Sequence, residues 1–577
     1  MTIAIAQIEI RAAQPRHNTD KMLKYIARAK QQGAELILFP ELAIPGLLIG
    51  DSWQSAAFLE ECADCAAQIA AASAGVTVVF GNAACRGHAV VNSLYLAADG
   101  ELGRLEAPLG APFVADGYKY FSAGGEAQSY NLLIDGKLYR VGFLLGDWRG
   151  RKLPYLAEDV DLLVNASMRP LTVDKDEPQP YVEGRQFISL NGCALQATGK
   201  SNYIFCGGSY FLGVDGAEIA RAPQLQEGMF LWRRDGGELA PRLEPLILLA
   251  QALEYGLRSF CRDIQTAKAV IGISGGIDSA LAACLYTRAL GADNLLLISM
   301  PSRFNSERTQ KLAQRMAEGL GCGFACIPIE DGLAQFTATA AAHPQHWPQR
   351  GETAWSFSAA AYENMQARER ARILSAAAAA LGGIFTCNGN KTELSVGYAT
   401  FYGDLAGALA AQADLWKRQV YALCGYYQRL FPNAPLAEIA AIRPSAELSP
   451  EQDVDKGLGD PLIYDYHDYL LASWVEKGRG PLETLRDYAD GVLAENIGCD
   501  ARLLKDSFAG AAAFIADLEY WWKQYRGLAV AKRQQAPPLL AVSSRPFGEA
   551  RHEVQGTLFW PAQYQRLKQQ LLADAHE

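Results

Sequence analysis

The sequence predicts an α/β protein with at least two domains, because strand-length apolar runs alternate with helical stretches along a chain too long for one core. Single hydrophobic cores usually stop growing well below the length of this chain, which has 577 residues. Half of the residues are hydrophobic and a fifth are charged, which is ordinary globular composition with enough apolar material for buried cores. We therefore expect compact, separately packed domains.

The first half of the chain alternates apolar runs with Ala-rich stretches typical of helices. Its strand candidates are residues 3–10, 35–39, 76–80, 141–145 and 162–164. Such alternation favours stacked layers of helix and sheet. A polar stretch rich in Gly and Pro follows, and we place there the boundary between a first domain, 1–238, and a second, 239–577.

The second half begins with a helix-like segment and then repeats strand and helix. The expected helices are 246–262, 280–289 and 309–320, and the expected strands are 269–273 and 295–300. This repetition predicts a doubly wound parallel sheet, which binds ligands beyond the C-terminal ends of its strands.

Charge and hydropathy exclude two classes of partner. The formal net charge of -10 provides no electropositive field for a nucleic-acid backbone, although local cations could still bind a small anion. No apolar run is long enough to span a bilayer, and the chain passes from Met1 almost directly into an apolar strand, with no room for a signal peptide. We expect a cytoplasmic protein that binds neither nucleic acid nor membrane.

The cysteines do not form a pattern typical of metal binding. Most lie in apolar runs, which suits reduced core thiols, and Cys62 and Cys65 form the one CxxC pair. Without a second pair at zinc-finger spacing, we interpret this pair as part of a buried helix face.

A glycine-rich turn follows the strand at 269–273 and precedes a helix. Its sequence is Ser274-Gly275-Gly276-Ile277-Asp278-Ser279. Backbone N–H groups and the helix dipole in such a turn form an anion site, to which the two serines add hydroxyl donors. A carboxylate beside phosphates requires a cation between them, so Asp278 indicates Mg²⁺. The Walker spacing and its lysine are missing.

This turn resembles the SGGxDS signature of the ATP pyrophosphatases, which cleave ATP between its α- and β-phosphates. The motif alone is shared with asparagine, GMP and argininosuccinate synthetases and with tRNA-thiolating enzymes. Further strings resemble, in the same order, the blocks of NAD synthetases, and the last two resemble the tail of the two-domain form. These strings are residues 300–304, 362–368, 389–398, 402–404, 443–448, 532–538 and 544–548.

The resemblance implies an ATP-dependent ligase that adenylates the nicotinate carboxylate of deamido-NAD and converts it to the carboxamide of NAD. AMP and pyrophosphate would be released. By the same resemblance, Asp278 and Glu393 hold Mg²⁺. The implied ATP contacts are Gly272, Ser274, Gly275, Gly276, Asp278, Ser279, Arg303 and Asn388. The implied deamido-NAD contacts are Asn364, Arg368, Glu393, Asp404 and Lys532. Asn388 departs from the threonine that the family commonly has there.

Residues 1 to about 235 resemble a nitrilase-type carbon-nitrogen hydrolase domain, an α/β/β/α sandwich that produces ammonia from glutamine in two-domain NAD synthetases. The matching strings are 39–42, 163–167 and 205–209. The first contains Glu41, at the position of the general base.

The other catalytic positions of that domain are lost. Leu145 occupies the position of the nucleophilic cysteine, and a leucine cannot form a thioester. The expected lysine is missing near residues 106–109, and Gly117 occupies the position of a second glutamate. Cys206 lies in another strand region, where a structural role is expected. We therefore expect Glu41 to be vestigial and free ammonia to supply the nitrogen.

Several alternatives stay open. Glutamine could still be used, directly or through a partner glutaminase, and the acid could be another nicotinate nucleotide. A nucleotide-sensing scaffold without activity is disfavoured because Asp278 and Glu393 are both present. The resemblance also implies a homo-oligomer.

Overall fold

The computed structural model describes residues 2–86, 89–110, 120–121, 125–134, 136–155, 159–174, 183–233, 235–548, 556 and 558–574. The chain divides into two compact units. The first comprises residues 1–198, 202–256 and 541–543, and the second comprises 199–201, 257–540 and 544–577. The two units part within a helix, Pro245–Asp263, so the domain boundary expected after residue 238 stays a prediction.

Among the described residues, the first unit contains two six-stranded sheets, the separate strand pair β10 and β11, and two flanking helices. One sheet has the order β14-β1-β2-β3-β4-β5, and the other has the order β13-β12-β9-β8-β7-β6. The strands are β1 Thr2–Gln7, β2 Leu36–Leu38, β3 Thr77–Arg86, β4 Ala89–Ala98, β5 Glu101–Leu105, β6 Ser129–Ile134, β7 Lys137–Leu145, β8 Leu162–Ser167, β9 Gln186–Asn191, β10 Cys193–Thr198, β11 Ser201–Cys206, β12 Tyr210–Leu212, β13 Glu218–Arg221 and β14 Gly228–Arg233. The helices are α1 Pro15–Gln31 and α2 Ala56–Ala71, with a 3₁₀ turn at Gly50–Gln54.

Side chains from both sheets share one apolar core. Ile5 on β1 belongs to the same cluster as Phe143 and Leu145 on β7, so the two sheets pack face to face. Leu144, between them, belongs to a second cluster, as expected from the alternation of side chains along a strand. The layered architecture expected from the sequence is confirmed.

The second unit is built on a parallel sheet with the order β17-β16-β15-β20, in which helices follow the strands. The doubly wound sheet predicted from the sequence is therefore confirmed. Its elements are α3 Pro245–Asp263, β15 Ala269–Gly272, α4 Ile277–Leu290, β16 Leu295–Ser299, α5 Glu307–Leu320, β17 Gly323–Cys326, α6 Glu330–Ala342, β18 Gln345–Trp347, β19 Gly351–Thr353, α7 Ala359–Leu381 and β20 Ile384–Phe385.

Helical segments follow this sheet. They are α8 Lys391–Val396, α9 Lys417–Leu430, α10 Leu436–Ala440, α11 Tyr464–Val475, α12 Pro481–Ala489, α13 Leu493–Ile497, α14 Ala501–Ser507, α15 Ala511–Arg526, α16 Leu528–Gln535 and α17 Ala562–Asp574, with β21 at Leu539–Ala541. Short 3₁₀ turns lie at Ala292–Asn294, Pro450–Gln452 and Val454–Lys456. Among the described residues, every helix is too short or too polar to cross a bilayer.

A buried ion pair fixes the start of α8. The Lys391 ammonium lies 2.8 Å from an Asp414 carboxylate oxygen, and both side chains are fully buried. Glu476 lies 3.2 Å from the same ammonium, and the Lys391 N–H donates to Leu415 O at 2.8 Å. Because this helix also carries Glu393, the ion pair positions part of the candidate site.

We expect Lys391→Met to lower the free energy of unfolding by about 3–5 kcal/mol, because it leaves the Asp414 charge buried without its ammonium partner. The thermal unfolding midpoint measures the loss. The matched control is Lys311→Met, which removes an exposed pair with Glu307 and should cost less than about 0.5 kcal/mol. Equal midpoints for the two variants would contradict this prediction.

Candidate active site

The glycine-rich turn after β15 is shaped by close backbone packing. Gly275 has φ +84°, and a Cβ at this residue would lie 2.2 Å from Thr309 O. Only glycine accommodates both constraints. Ser274 Oγ accepts the Gly276 N–H at 3.2 Å, and Ser279 Oγ donates to Gly276 O at 2.9 Å. The turn is therefore pre-formed by its own hydroxyl groups.

Helix α4 begins directly after this turn, at Ile277. The first N–H groups of a helix have no partner within it, and the helix dipole makes this end partly positive. The turn and the helix start together can therefore bind a phosphate group. Asp278 lies in the first turn of the helix, so a carboxylate stands beside the anion site.

One ammonium group joins two carboxylates at this site. Lys417 Nζ lies 2.5 Å from Asp278 Oδ2 and 3.3 Å from Glu393 Oε1. Asn390 Nδ2 donates to the other Asp278 oxygen at 2.8 Å. The structure thus brings together the two predicted metal ligands, which come from α4 and α8, around a lysine from α9.

The charges of this cluster are strongly coupled. Burial raises the pKa of the Glu393 carboxyl well above its ordinary value, Asp278 raises it further, and Lys417 opposes them. Burial alone would lower the pKa of Lys417, but Asp278 and Glu393 raise it above its ordinary value. Two carboxylates face one ammonium, so an additional cation would relieve the remaining repulsion.

The donor set fits Mg²⁺ in part. Carboxylate oxygens are the ligands that this ion prefers, and it usually takes one or two of them together with water and phosphate oxygens. Within the described part of the chain, no group of three or more His, Cys, Asp or Glu side chains could hold a metal alone. Asp278 and Glu393 could therefore hold Mg²⁺ together with ligands from a bound nucleotide.

A capping box positions Glu393 at the start of α8. Asn390 Oδ1 accepts the Glu393 N–H at 3.1 Å, and Glu393 Oε2 accepts the Asn390 N–H at 3.3 Å. This reciprocal bonding directs one carboxylate oxygen to the backbone and leaves the other for Lys417.

Asn388 ties two neighbouring strands together. Its Nδ2 donates to Gly272 O at 3.1 Å, at the end of β15, and its Oδ1 accepts the Thr386 hydroxyl at 2.8 Å. Both ends of the amide therefore have protein partners. The contact between Asn388 and ATP stays a prediction.

A cavity of about 300 Å³ lies at this edge of the parallel sheet, where the sequence predicted the catalytic loop. Its volume is at the lower end of the range for small-molecule sites. Residues predicted from the sequence that line it are Gly272, Ser274, Gly275, Gly276, Asp278, Ser279, Asn388, Glu393 and Asp404. Lys417 and Arg370 line it as well.

Two predicted cations meet around Phe401. Arg368 Nε donates to Phe401 O at 3.1 Å, and Lys532 Nζ lies 6.0 Å from the centroid of the Phe401 ring. Lys532 also donates to Gly397 O at 2.7 Å. Arg368 on α7 and Lys532 on α16 are 164 positions apart in the sequence, and the fold brings both to this segment.

Of the remaining predicted residues, Asp404 lines the cavity, whereas Asn364 and Arg303 do not. Asp404 lines it, and its carboxylate accepts the Thr400 N–H at 2.6 Å. Asn364 lies one turn before Arg368 on α7 and is outside the cavity lining. Arg303 is also outside the lining, is largely exposed, and lies 5.0 Å from the Tyr362 ring centroid.

Sequence reasoning did not assign Lys417, Asn390, Gln412 or Arg370. Asn390 lies inside a matched string, and its spacing from Glu393 is the signal of a capping box. Gln412 Nε2 donates to Asp278 O at 3.1 Å. Lys417 and Gln412 lie in none of the matched strings, and only the fold brings them to Asp278.

In the first unit, Glu41 is fully buried and hydrogen-bonded at both oxygens. Asn92 Nδ2 donates to Oε1 at 2.6 Å, and the Met168 N–H donates to Oε2 at 2.9 Å. Removing Glu41 would leave two buried donors without these partners. The glutamate therefore has a structural role that does not depend on catalysis.

Leu145 lies on the strand next to the one that leads to Met168, whose N–H donates to Glu41. It ends β7 and pairs with Ala166 on the parallel strand β8, two residues before Met168. Its side chain is fully buried in the core between the sheets. The segment expected to hold the missing lysine runs beside it, because Leu145 N–H donates to Pro108 O at 3.0 Å. Gly117 lies outside the described residues.

Cys206 ends β11. Burial raises the pKa of its thiol, and the opposing effect of Arg169 is smaller. The thiol form is therefore favoured, whereas glutamine hydrolysis requires a thiolate. Cys62 is likewise buried in α2, where burial raises the pKa of its thiol to about 12.

Comparison with known proteins agrees with these two units. The NAD synthase family model matches residues 249–496, and the carbon-nitrogen hydrolase family model matches residues 2–104. The glutamine-dependent NAD(+) synthetase of Synechocystis sp. is 29% identical over 585 residues, covering 95% of this chain and 97% of that protein.

Two solved structures share the fold over almost the whole chain. The glutamine-dependent NAD+ synthetase of Acinetobacter baumannii, solved with ADP, has a TM-score of 0.64 at 23% identity and covers 96% of this chain and 99% of that one. The enzyme from Cytophaga hutchinsonii has a TM-score of 0.74 at 17% identity and covers 99% of both chains. The chain thus combines a carbon-nitrogen hydrolase domain with a following NAD synthase domain, the arrangement of the two-domain NAD synthetases to which it is similar.

Proposed function

We propose that the protein converts deamido-NAD to NAD by ATP-dependent amidation and takes the nitrogen from free ammonia. The cluster of Asp278, Glu393 and Lys417 beside the phosphate-binding turn is the observation that carries the ligase part. The ammonia part rests on the apolar, buried Leu145, whose strand pairs with the one that leads to Met168, a hydrogen-bond partner of Glu41.

The reaction needs activation because a carboxylate is a poor electrophile. A nicotinate carboxylate oxygen bonds to the α-phosphorus of ATP, and the bond from that phosphorus to the oxygen bridging to the β-phosphate breaks. Pyrophosphate leaves with the electron pair, and ammonia then displaces AMP from the acyl-adenylate.

The turn at 274–279 would hold the pyrophosphate end of ATP. The N–H groups at the start of α4 lie at the partly positive end of the helix dipole, and the hydroxyls of Ser274 and Ser279, which bond within the turn, would donate after turning toward the phosphate. Asp278 and Glu393 would hold Mg²⁺, which neutralises phosphate charge and orients the leaving pyrophosphate when bound. Lys417 lines the same cavity, so its ammonium could move from the carboxylates to a phosphate oxygen.

The dinucleotide would bind beside segment 400–404. Arg368 and Lys532 both contact Phe401 and supply positive charge for an anionic substrate. Asp404 lines the cavity next to them and offers acceptor oxygens, which suit ribose hydroxyls. This arrangement supports a substrate that carries both phosphate and sugar groups.

The nitrogen source follows from the chemistry of the first domain. Glutamine hydrolysis needs a thiolate nucleophile and a stabilised oxyanion. Leu145 supplies neither, and burial raises the pKa of the Cys206 thiol, which disfavours the thiolate. The relatives are named as glutamine-dependent, so direct use of glutamine or a partner glutaminase is the second candidate.

With deamido-NAD, ATP and Mg²⁺, we expect NAD formation from ammonium to exceed that from glutamine by about 100-fold or more, because no nucleophile attacks the glutamine amide. Chromatographic quantification of NAD measures both rates. Cys206→Ala should change neither rate, and equal rates with the two nitrogen donors would refute the ammonia assignment. Nicotinate mononucleotide in place of deamido-NAD tests the other acid in the same assay.

We expect Asp278→Asn to lower the rate of pyrophosphate release by about 10³-fold, because the variant removes one of two anionic metal ligands at the triphosphate. Asp293→Asn, at an exposed position beyond the end of α4, is the matched control and should stay within about twofold of the parent. Thermal unfolding checks that both variants are folded. Unchanged turnover in a folded Asp278→Asn protein would contradict the assignment.

A further inference from the structure

Arg370 is a cation in the cavity to which the sequence assigned no role. It lies on α7, is partly buried and lines the same cavity as the phosphate-binding turn. Its Nε donates to Met300 O at 3.0 Å, and its Nη2 donates to Asn305 Oδ1 at 3.2 Å. Both acceptors are neutral.

The Arg370 charge is not matched by a neighbouring carboxylate. Among the described residues, its guanidinium forms no ion pair, and Nη1 makes no hydrogen bond. Arg372, two residues further along α7, instead bonds Glu369 at the surface. Burial lowers the pKa of Arg370 to about 10, against the weaker attraction of more distant acidic groups. A partly buried cation without an anionic partner is costly, so an anionic ligand would stabilise it.

The position of Arg370 on α7 lies between the two substrate regions. One turn after it, Leu374 approaches Gly272 at the start of the phosphate-binding turn, where an added Cβ would lie 3.2 Å from Leu374 Cδ1. One turn before it, Ala367 packs against Gly403, where an added Cβ would lie 2.8 Å from Ala367 Cβ. One face of the helix therefore extends from the triphosphate region to the dinucleotide region, with Arg370 at the midpoint.

The protein also fixes the orientation of this guanidinium. Asn305, which accepts from Nη2, donates its own amide N–H to Glu447 Oε2 at 3.2 Å. Glu447 in turn accepts the Ser306 N–H at 3.0 Å and the Thr309 hydroxyl at 2.9 Å. Two of the three guanidinium nitrogens are thus occupied by a fixed network, which leaves the planar group oriented for a ligand.

We propose that Arg370 contacts the α-phosphoryl group of ATP where the acid carboxylate attacks it, and that it stabilises the charge developing on that group. The inference rests on the proposed amidation. In this step a carboxylate oxygen bonds to the α-phosphorus, the bond from phosphorus to the bridging oxygen breaks, and pyrophosphate leaves with the electron pair. No proton is transferred, which suits a guanidinium that stays charged throughout.

This contact is tested with the variants Arg370→Met and Arg370→Lys and the control Arg372→Met. The measurement is steady-state pyrophosphate release with deamido-NAD, Mg-ATP and ammonium. We expect kcat of Arg370→Met to fall by about 10²–10³-fold, as when one pre-oriented donor to a developing charge is removed. The KM for ATP should change by less than about threefold, since the contact strengthens in the transition state. Arg370→Lys keeps the positive charge but loses the forked geometry of the guanidinium, so its kcat should fall at least about tenfold. The kcat of Arg372→Met should stay within about twofold of the parent.

The outcomes separate this contact from a purely structural role and from failure of the amidation itself. A folded Arg370→Met protein with kcat within about threefold of the parent overturns the proposal, as does a loss confined to the KM for ATP. If Arg370→Met fails to fold in a thermal unfolding assay, a folded Arg370→Lys protein with parental kcat overturns it. A parent protein that releases no pyrophosphate with deamido-NAD refutes the proposed function, and the role of Arg370 falls with it.

Discussion

The contact of one lysine with two carboxylates is the interaction on which the candidate site depends. Asp278 and Glu393 come from different helices, and like charges brought together in a partly buried site repel unless a cation lies between them. Lys417 supplies that cation from a third helix. The neighbouring parallel strands β15 and β20 lead to the starts of α4 and α8, and Lys417 at the start of α9 lines the same cavity as the turn that can bind phosphate. Binding of a nucleotide with its metal would therefore replace one set of charge contacts by another at an already assembled site.

The two domains differ in whether the stability of the fold depends on the residues that would carry the chemistry. In the first domain, the sandwich core accepts Leu145 because the end of β7 faces apolar neighbours. Both Glu41 oxygens accept hydrogen bonds from buried donors, the Asn92 amide and the Met168 N–H, so the fold itself holds this glutamate in place. Stability of such a domain does not require hydrolysis. In the second domain, apolar replacements of the two carboxylates would leave the Lys417 ammonium buried without its partners, so the charges of the site depend on one another.

The parts of the fold and of the site that are formed by residues close together in the sequence could be predicted from it. The strands and helices between residues 269 and 320 follow from their periodicity, and the turn at 274–279 follows from a short motif between them. Glu393 lies in a capping box that spans four residues. Lys417 and Arg370 were not predictable in this way, because their partners lie 139 and 70 residues away and only packing brings them together. The domain boundary placed after residue 238 stays a prediction.

A crystal structure of the protein with Mg²⁺ and an ATP analogue that resists cleavage between the α- and β-phosphates tests the central claim most directly. The account predicts a metal bound by Asp278 and Glu393, phosphate oxygens on the N–H groups of residues 274–279, and the Lys417 ammonium moved toward a phosphate. A nucleotide bound elsewhere, or a metal that contacts neither carboxylate while Lys417 stays between them, would contradict it.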